Sequence, residues 1–379
     1  MSKNQHQILV FVPNILNQNH WQVYELDLFQ KDYKIEVCEM GKIMNYEFFK
    51  KTEHKRFNNN TVAFENLYEV ISYLYSKKSD NIVIFNMVPF EIKIKRAMIF
   101  FLILLRRAKI FHFRNTVLPT NFDRNKNKIY ITIRNLVYNI LGYSLKLLPS
   151  ENYIVYTEKG EQETPQLREF YFKYCSKIVS VTPDISVIKS KKLYQKEKNL
   201  KDPYCVYLDF PAPKFAGDRL LFSEEYFLTC ENWYPKLCKL FVAIETTLNL
   251  EVVIAAHPKS SWNPENTEFS DRKIYENRTN ELLLNAEFVI GVASTVMLTA
   301  HTLNVPILYV TSEESRKMKT HYENILIFNS HYPGIIVDLS QEMKEISKTV
   351  GMIPKRENQK INFDKMESNY EVIENLIRN

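Results

Sequence analysis

Glycine is scarce. Among 379 residues there are seven, and none falls in a GxGxxG or GxxxxGKS/T pattern, so the dinucleotide fingerprint and the P-loop are both absent. Most of the case for NAD or ATP-loop chemistry goes with them. HExxH, GxSxG and DxD are missing as well, which removes the zinc-protease helix, the esterase elbow and the commonest metal-dependent sugar-nucleotide motif. The expected chemistry is metal-independent, with no resident cofactor. The five cysteines (Cys38, Cys175, Cys205, Cys230, Cys238) are odd in number, scattered and never paired as CxxC. That argues against a disulfide framework and a zinc site, and for small buried apolar residues. Long apolar runs are lacking too: the longest, Ala97 to Leu105, has nine residues, against roughly 20 for a membrane-spanning helix. Met1 to Gln7 is polar and leads straight into a strand-like run, without the charged stub, apolar stretch and cleavage site of a secretory signal. A cytoplasmic location is expected.

What is present is an ordinary globular composition, 45% apolar and 25% charged, in a chain long enough for two domains with a core each. The net charge of +6 is unevenly spread. Between Lys93 and Lys146 there are twelve basic residues, among them Lys95, Arg96, Arg106, Arg107 and Lys109, against one acid, Asp123. The same segment, 93–146, is apolar and aromatic, from Ile99 to Leu105 and through IYITIRNLVYNILGYSLKLL. Basic clusters beside an apolar helix describe a segment that lies on an anionic membrane surface, so a peripheral position at the inner face of the cytoplasmic membrane is expected. No helix-turn-helix, zinc finger or aromatic RNA-binding signature accompanies the charge, and nucleic acid is not the expected partner.

Along the chain, short β-branched and aromatic runs alternate with helical stretches. Ile8–Pro13, Tyr33–Glu39, Asn81–Phe85, Lys109–Phe113 and Ser176–Thr182 read as strands, and Trp21–Gln30 as a helix. The lysine-rich stretch Lys189–Lys201 reads as a linker. The pattern then restarts with strands at Tyr204–Asp209, Glu251–Ala256, Phe288–Gly291 and Pro306–Val310. Helices are expected at Glu231–Leu248, Thr279–Ala286, Thr295–Leu303 and Glu371–Arg378. This predicts an α/β fold of two Rossmann-like domains facing a central cleft: an acceptor domain over 1–200, a donor domain over 201–340 and a helical tail over 341–379.

In open α/β sheets ligands bind beyond the carboxyl ends of the strands. Two polar clusters fall there. In Ala256-His257-Pro258-Lys259-Ser260, an imidazole and an ammonium leave a buried strand and can donate to phosphate. In Gly291-Val292-Ala293-Ser294-Thr295, two hydroxyls and the free N–H groups of a helix start make an anion site. One αβ unit separates the clusters, which suggests neighbouring strand ends. Singly, a His-Pro turn or a Ser-Thr helix cap is usually structural; the pairing raises the functional reading.

With this pairing the sequence resembles the bacterial GT-B glycosyltransferases that use CMP-activated nonulosonic acids, the sialyltransferase, polysialyltransferase and Kdo transferase group. These carry an HP motif and a downstream Ser-Ser or Ser-Thr motif in the C-terminal domain. The resemblance spans Tyr204 to Val310 and includes the helix start at Thr279. It implies that His257 holds or protonates the departing phosphate and that Ser294 and Thr295 bind it, with Pro258, Lys259 and Ser260 beside them. Arg272, Glu276 and Thr279 lie where ribose or base contacts arise. An inverting transfer also needs a base. The family often takes it from an acidic D/E-D/E-G motif in the first domain, and no such motif occurs here; Asp209 and Glu231 are the candidates. The function implied is transfer of an acidic sugar from a CMP-linked donor to a glycan or glycolipid acceptor in capsule or lipooligosaccharide assembly. A CDP-glycerol glycerophosphotransferase, a UDP-N-acetylhexosamine 2-epimerase and a non-catalytic assembly protein are the alternatives.

Overall fold

The computed structural model describes residues 7–52, 56–58, 60–77, 82–88, 94–113, 132, 136, 150–157, 176–180, 183–195, 203–211, 213, 227–258, 260, 268–357 and 361–378. Lys259 and most of the basic segment 93–146 lie outside them.

The chain forms two compact units that divide at Val187/Ile188 and again at Met366/Glu367. The first holds a parallel sheet of seven strands: β1 (Gln7–Val12), β2 (Lys34–Glu39), β3 (Thr61–Ala63), β4 (Ile82–Asn86), β5 (Lys109–Phe113), β6 (Glu151–Thr157) and β7 (Ser176–Ser180), in the order β3-β2-β1-β4-β5-β6-β7. Continuous apolar runs such as ILVFV are what a parallel strand covered on both faces requires. Ile8, Val10 and Val12 pack with Trp21, Tyr24, Leu26 and Phe29 on one face. Leu9 and Phe11 pack with Ile99, Phe100 and Ile103 on the other.

The helix expected over Trp21–Gln30 is two pieces, Gln18–Val23 and Leu26–Phe29. Between them Glu25 takes a left-handed conformation, φ 53°, which is unfavourable for a side chain of this kind. The turn buries the Glu25 carboxylate, where it accepts from Ser186 Oγ at 2.8 Å and Tyr370 N at 3.0 Å. Tyr370 opens the last helix, Asn369–Arg378. Ile373 and Ile377 of that helix belong to the first unit's core, and Lys109 Nζ donates to the Leu376 carbonyl near its end at 2.7 Å. The expected tail 341–379 is therefore divided: residues up to Met366 belong to the second unit and the last helix to the first.

The second unit holds β8 (Tyr204–Leu208), β9 (Glu251–Ala255), β10 (Ile274–Tyr275), β11 (Val289–Gly291), β12 (Ile307–Thr311) and β13 (Ile335–Asp338), all parallel, in the order β10-β9-β8-β11-β12-β13. From β8 the chain winds outward through β9 to β10, then returns to β11 and winds the other way. The order reverses between β8 and β11, so a crevice opens beyond their carboxyl ends. Among the described residues no helix is long and apolar enough to cross a membrane.

Candidate functional site

The polar clusters both stand at carboxyl ends of the second sheet, but not on adjacent strands. His257 follows β9 and Ser294 follows β11, while β8 pairs with both. Two strand spacings, roughly 10 Å, separate them at the backbone. Asp209, at the end of β8, fills the interval.

Asp209 is almost completely buried, 5% exposed. Its backbone N–H donates to the Ala255 carbonyl at 3.0 Å, continuing the ladder one residue past the strand. Its Oδ2 accepts the backbone N–H of His257 at 3.3 Å. The carboxylate thus holds the start of the His-Pro turn, and the Ser260 N–H closes that turn onto the His257 carbonyl at 2.8 Å. Tyr207 and Tyr234 lie behind it; burial first, and then the charge of Asp209, holds both hydroxyls well above the ordinary tyrosine range. They remain neutral. His257 and Pro258 are half-buried, so the imidazole sits at the surface of the strand ends on a fixed backbone. The Ser260 hydroxyl is buried, with no hydrogen-bond partner among the described residues.

On the other side of β8, Ser294 is the N-cap of the helix Thr295–Thr302, its Oγ accepting from Val296 N at 3.4 Å. Thr295 is exposed at the first helical position. Gly291 allows the close approach that brings this helix start against β8: a Cβ there would lie 2.7 Å from Met297 Cε and 3.4 Å from Leu208 Cβ. The first N–H groups of this helix and the positive end of its dipole stand at the end of β11 beside Ser294 and Thr295, an arrangement suited to an anion.

The remaining sequence candidates are placed differently. Glu276 and Thr279 follow β10, the edge strand beyond β9, with Glu276 exposed and Thr279 opening the helix Thr279–Asn285. Glu231 is exposed in the first turn of the helix Cys230–Leu248, whose capping box is made by Thr229 and Asn232. Arg272 is drawn away from the strand ends. Its Nε and Nη2 each donate to Glu245 at 2.7 Å, Nη1 donates to the Phe269 carbonyl at 3.0 Å, and the guanidinium lies 5.1 Å from the Phe241 ring centroid. The fork that a ribose or base would need fastens the sheet edge to a helix instead.

Sequence reasoning missed the end of β12. There Ser312 caps the helix Glu313–Lys317 reciprocally with Ser315, Thr311 Oγ1 lies 2.8 Å from Ser315 Oγ, and Glu314 pairs with Lys236 at 2.5 Å. The S-x-x-S spacing after an apolar run is the available signal. Phe210 was also missed; it follows Asp209 and packs against Trp233 and the buried His321. A third omission is Arg356. Its Nη1 donates to the Leu283, Leu284 and Ala286 carbonyls and its Nη2 to Leu303, so one cation caps both the helix Thr279–Asn285 and the helix that starts at Thr295. Among the described residues no group of three or more His, Cys, Asp or Glu side chains is placed to hold a metal.

No protein-family model matches the chain, and no curated protein matches it. Solved structures do. The UDP-GlcNAc 2-epimerase of Methanocaldococcus jannaschii aligns over 98% of this chain and 100% of its own at 13% identity, TM-score 0.50. The α/β-galactoside α-2,3-sialyltransferase of Photobacterium phosphoreum aligns over 89% and 99% at 13% identity, TM-score 0.48. The UDP-N-acetylglucosamine 2-epimerase of Rickettsia bellii aligns over 99% and 94% at 14% identity, TM-score 0.46. The likeness to the first shows the fold: two Rossmann-like domains of GT-B type, as the sequence leads one to expect.

Proposed function

We propose that the protein is a glycosyltransferase that transfers an acidic sugar, sialic acid, a related nonulosonic acid or Kdo, from a CMP-activated donor to a glycan acceptor of a surface polysaccharide, with inversion and without a metal. The observation that carries this reading is the placement of His257, Asp209 and Ser294-Thr295 at three consecutive strand ends, two of them bounding the crevice where the strand order reverses. Ser294, Thr295 and the N–H groups of their helix hold the phosphate of the donor. His257 donates to the phosphate oxygen that becomes the leaving group. The acceptor hydroxyl attacks the anomeric carbon, the bond from that carbon to the phosphate oxygen breaks, CMP departs, and the hydroxyl proton passes to a carboxylate. Asp209 serves by fixing the His257 turn through its Oδ2, which accepts the His257 N–H. Glu231, exposed at a helix start, is the candidate for the base. The excess of cations between Lys93 and Lys146 supports an acceptor carried on an anionic membrane.

The test is release of CMP from CMP-sialic acid and CMP-Kdo in the absence of an acceptor, with and without EDTA. The expected result is release from one of them, unchanged by EDTA. If neither donor is turned over while UDP-N-acetylglucosamine is epimerised, the transferase reading is wrong.

A further inference from the structure

The first unit has an outer face that its own core does not use. The helices Leu67–Ser76 and Ile94–Leu104 pack on the same side of the sheet, burying Val70 and Leu74 from one and Ile99, Phe100, Ile103 and Leu104 from the other in one core. Their ends are tied together, since Arg106 Nη2 donates to the carbonyl of Lys77, the C-cap of the first helix, at 2.5 Å. The outward sides are apolar and aromatic. Tyr68 and Tyr75 are 78% and 77% exposed, with Met98 at 45% and Leu105 at 53%. Tyr68, Ser72 and Tyr75 recur at helical spacing, so the stripe of the first helix carries no charge. Its one acid, Glu69, is turned back to cap Glu65 N and Asn66 Nδ2. Glu65, just before that helix, is paired with Lys42, and the second helix has an exposed cation in its first turn, Lys95, and another just past its end, Arg107.

We propose that this two-helix face docks on the surface of an anionic lipid bilayer, with Tyr68, Tyr75, Met98 and Leu105 entering the headgroup boundary and Lys95 and Arg107 meeting lipid phosphates. Tyrosine is suited to that boundary, having an apolar ring and a wet hydroxyl, and cations flanking an apolar helix face provide the attraction. Charge complementarity favours lipid over a protein surface: the cations belong to a segment with twelve basic residues and one acid. The proposal rests on the membrane-borne acceptor of the function above, and it assigns the contact to a specific face that includes a helix outside the basic segment.

The experiment is sedimentation of the full chain with vesicles of phosphatidylcholine containing phosphatidylglycerol, or of phosphatidylcholine alone, with Tm checked for each variant. The wild type is expected to pellet with the anionic vesicles. Substitution of Tyr68, Tyr75, Met98 and Leu105 by serine should lower binding more than tenfold, and Lys95→Gln and Arg107→Gln about fivefold each. Met352→Ser, at an exposed position of the second unit, should change nothing. Undiminished pelleting of the quadruple variant overturns the face while leaving the membrane reading standing. A wild type that ignores anionic vesicles overturns both. A wild type that is dimeric, with a monomeric quadruple variant, makes the face a contact between copies and likewise overturns the proposal.

Discussion

The two sheets are wound alike and finished differently. In both, the strand order runs outward from a central strand, returns and runs the other way, so each has a crevice of the same kind. Their histidines show how far the likeness extends. His112, on β5, is 1% exposed and lies in a buried chain of side chains, 3.0 Å from Asn86 and 3.0 Å from Asn152. Asn86 Oδ1 accepts from Val88 N, and Asn152 Nδ2 donates to Ser150. Both amides are thereby oriented, and they fix His112 as the neutral tautomer that accepts at Nδ1 and donates at Nε2. His257 stands half-buried past the end of β9, its backbone held by Asp209. One imidazole completes a core and the other stands half-buried past a strand end, so sheets of the same winding differ in what the residues at and past their strand ends are left to do.

That contrast can be broken by exchange of roles. His257→Ala should reduce turnover of the donor by two to three orders of magnitude with Tm within a degree of the wild type; a stability loss without a rate loss would make His257 the structural histidine. His112→Ala should do the reverse. It strands two buried amides and opens a cavity, at a cost of about 3 kcal/mol in urea unfolding, and leaves nucleotide affinity unchanged in calorimetry.

A smaller effect sharpens the picture of the second unit. Arg356→Met removes a cation from four carbonyls, with an expected loss of about 2 kcal/mol. Because one of the capped helices carries Ser294 at its other end, nucleotide affinity should weaken severalfold as well. If stability falls and affinity does not, the helix start at Thr295 is positioned from the β11 side alone.

The strands were legible where they were continuous apolar runs, as in ILVFV, NIVIF, KIFHF and EVVIA. Four strands were not read: β3 and β10, of three and two residues, carry too little pattern, β13 is a half-buried edge strand of four residues, and in β6 the apolar residues of ENYIVYT are framed by polar ones. The break at Glu25 was invisible because its compensation comes from Ser186 and Tyr370, far along the chain. That His257 follows one strand and Ser294 and Thr295 another was legible, because strand-to-helix turns mark themselves. Their true spacing was not, since the intervening strand β8 lies earlier in the sequence. Arg272 misled because Glu245, 27 residues away, takes its fork. Arg356 left no signal because its partners are backbone carbonyls, which every residue has.

The central claim is that the ends of β9 and β11 together bind the phosphate of a nucleotide. Calorimetry with CMP, CDP and UDP on the wild type, His257→Ala and the double variant Ser294→Ala with Thr295→Ala tests it most directly. The account predicts that CMP binds the wild type, more weakly to His257→Ala, and without measurable heat to the double variant. Tight binding of UDP or CDP with no heat from CMP at millimolar concentration would contradict the donor, and equal CMP binding by all three proteins would contradict the site.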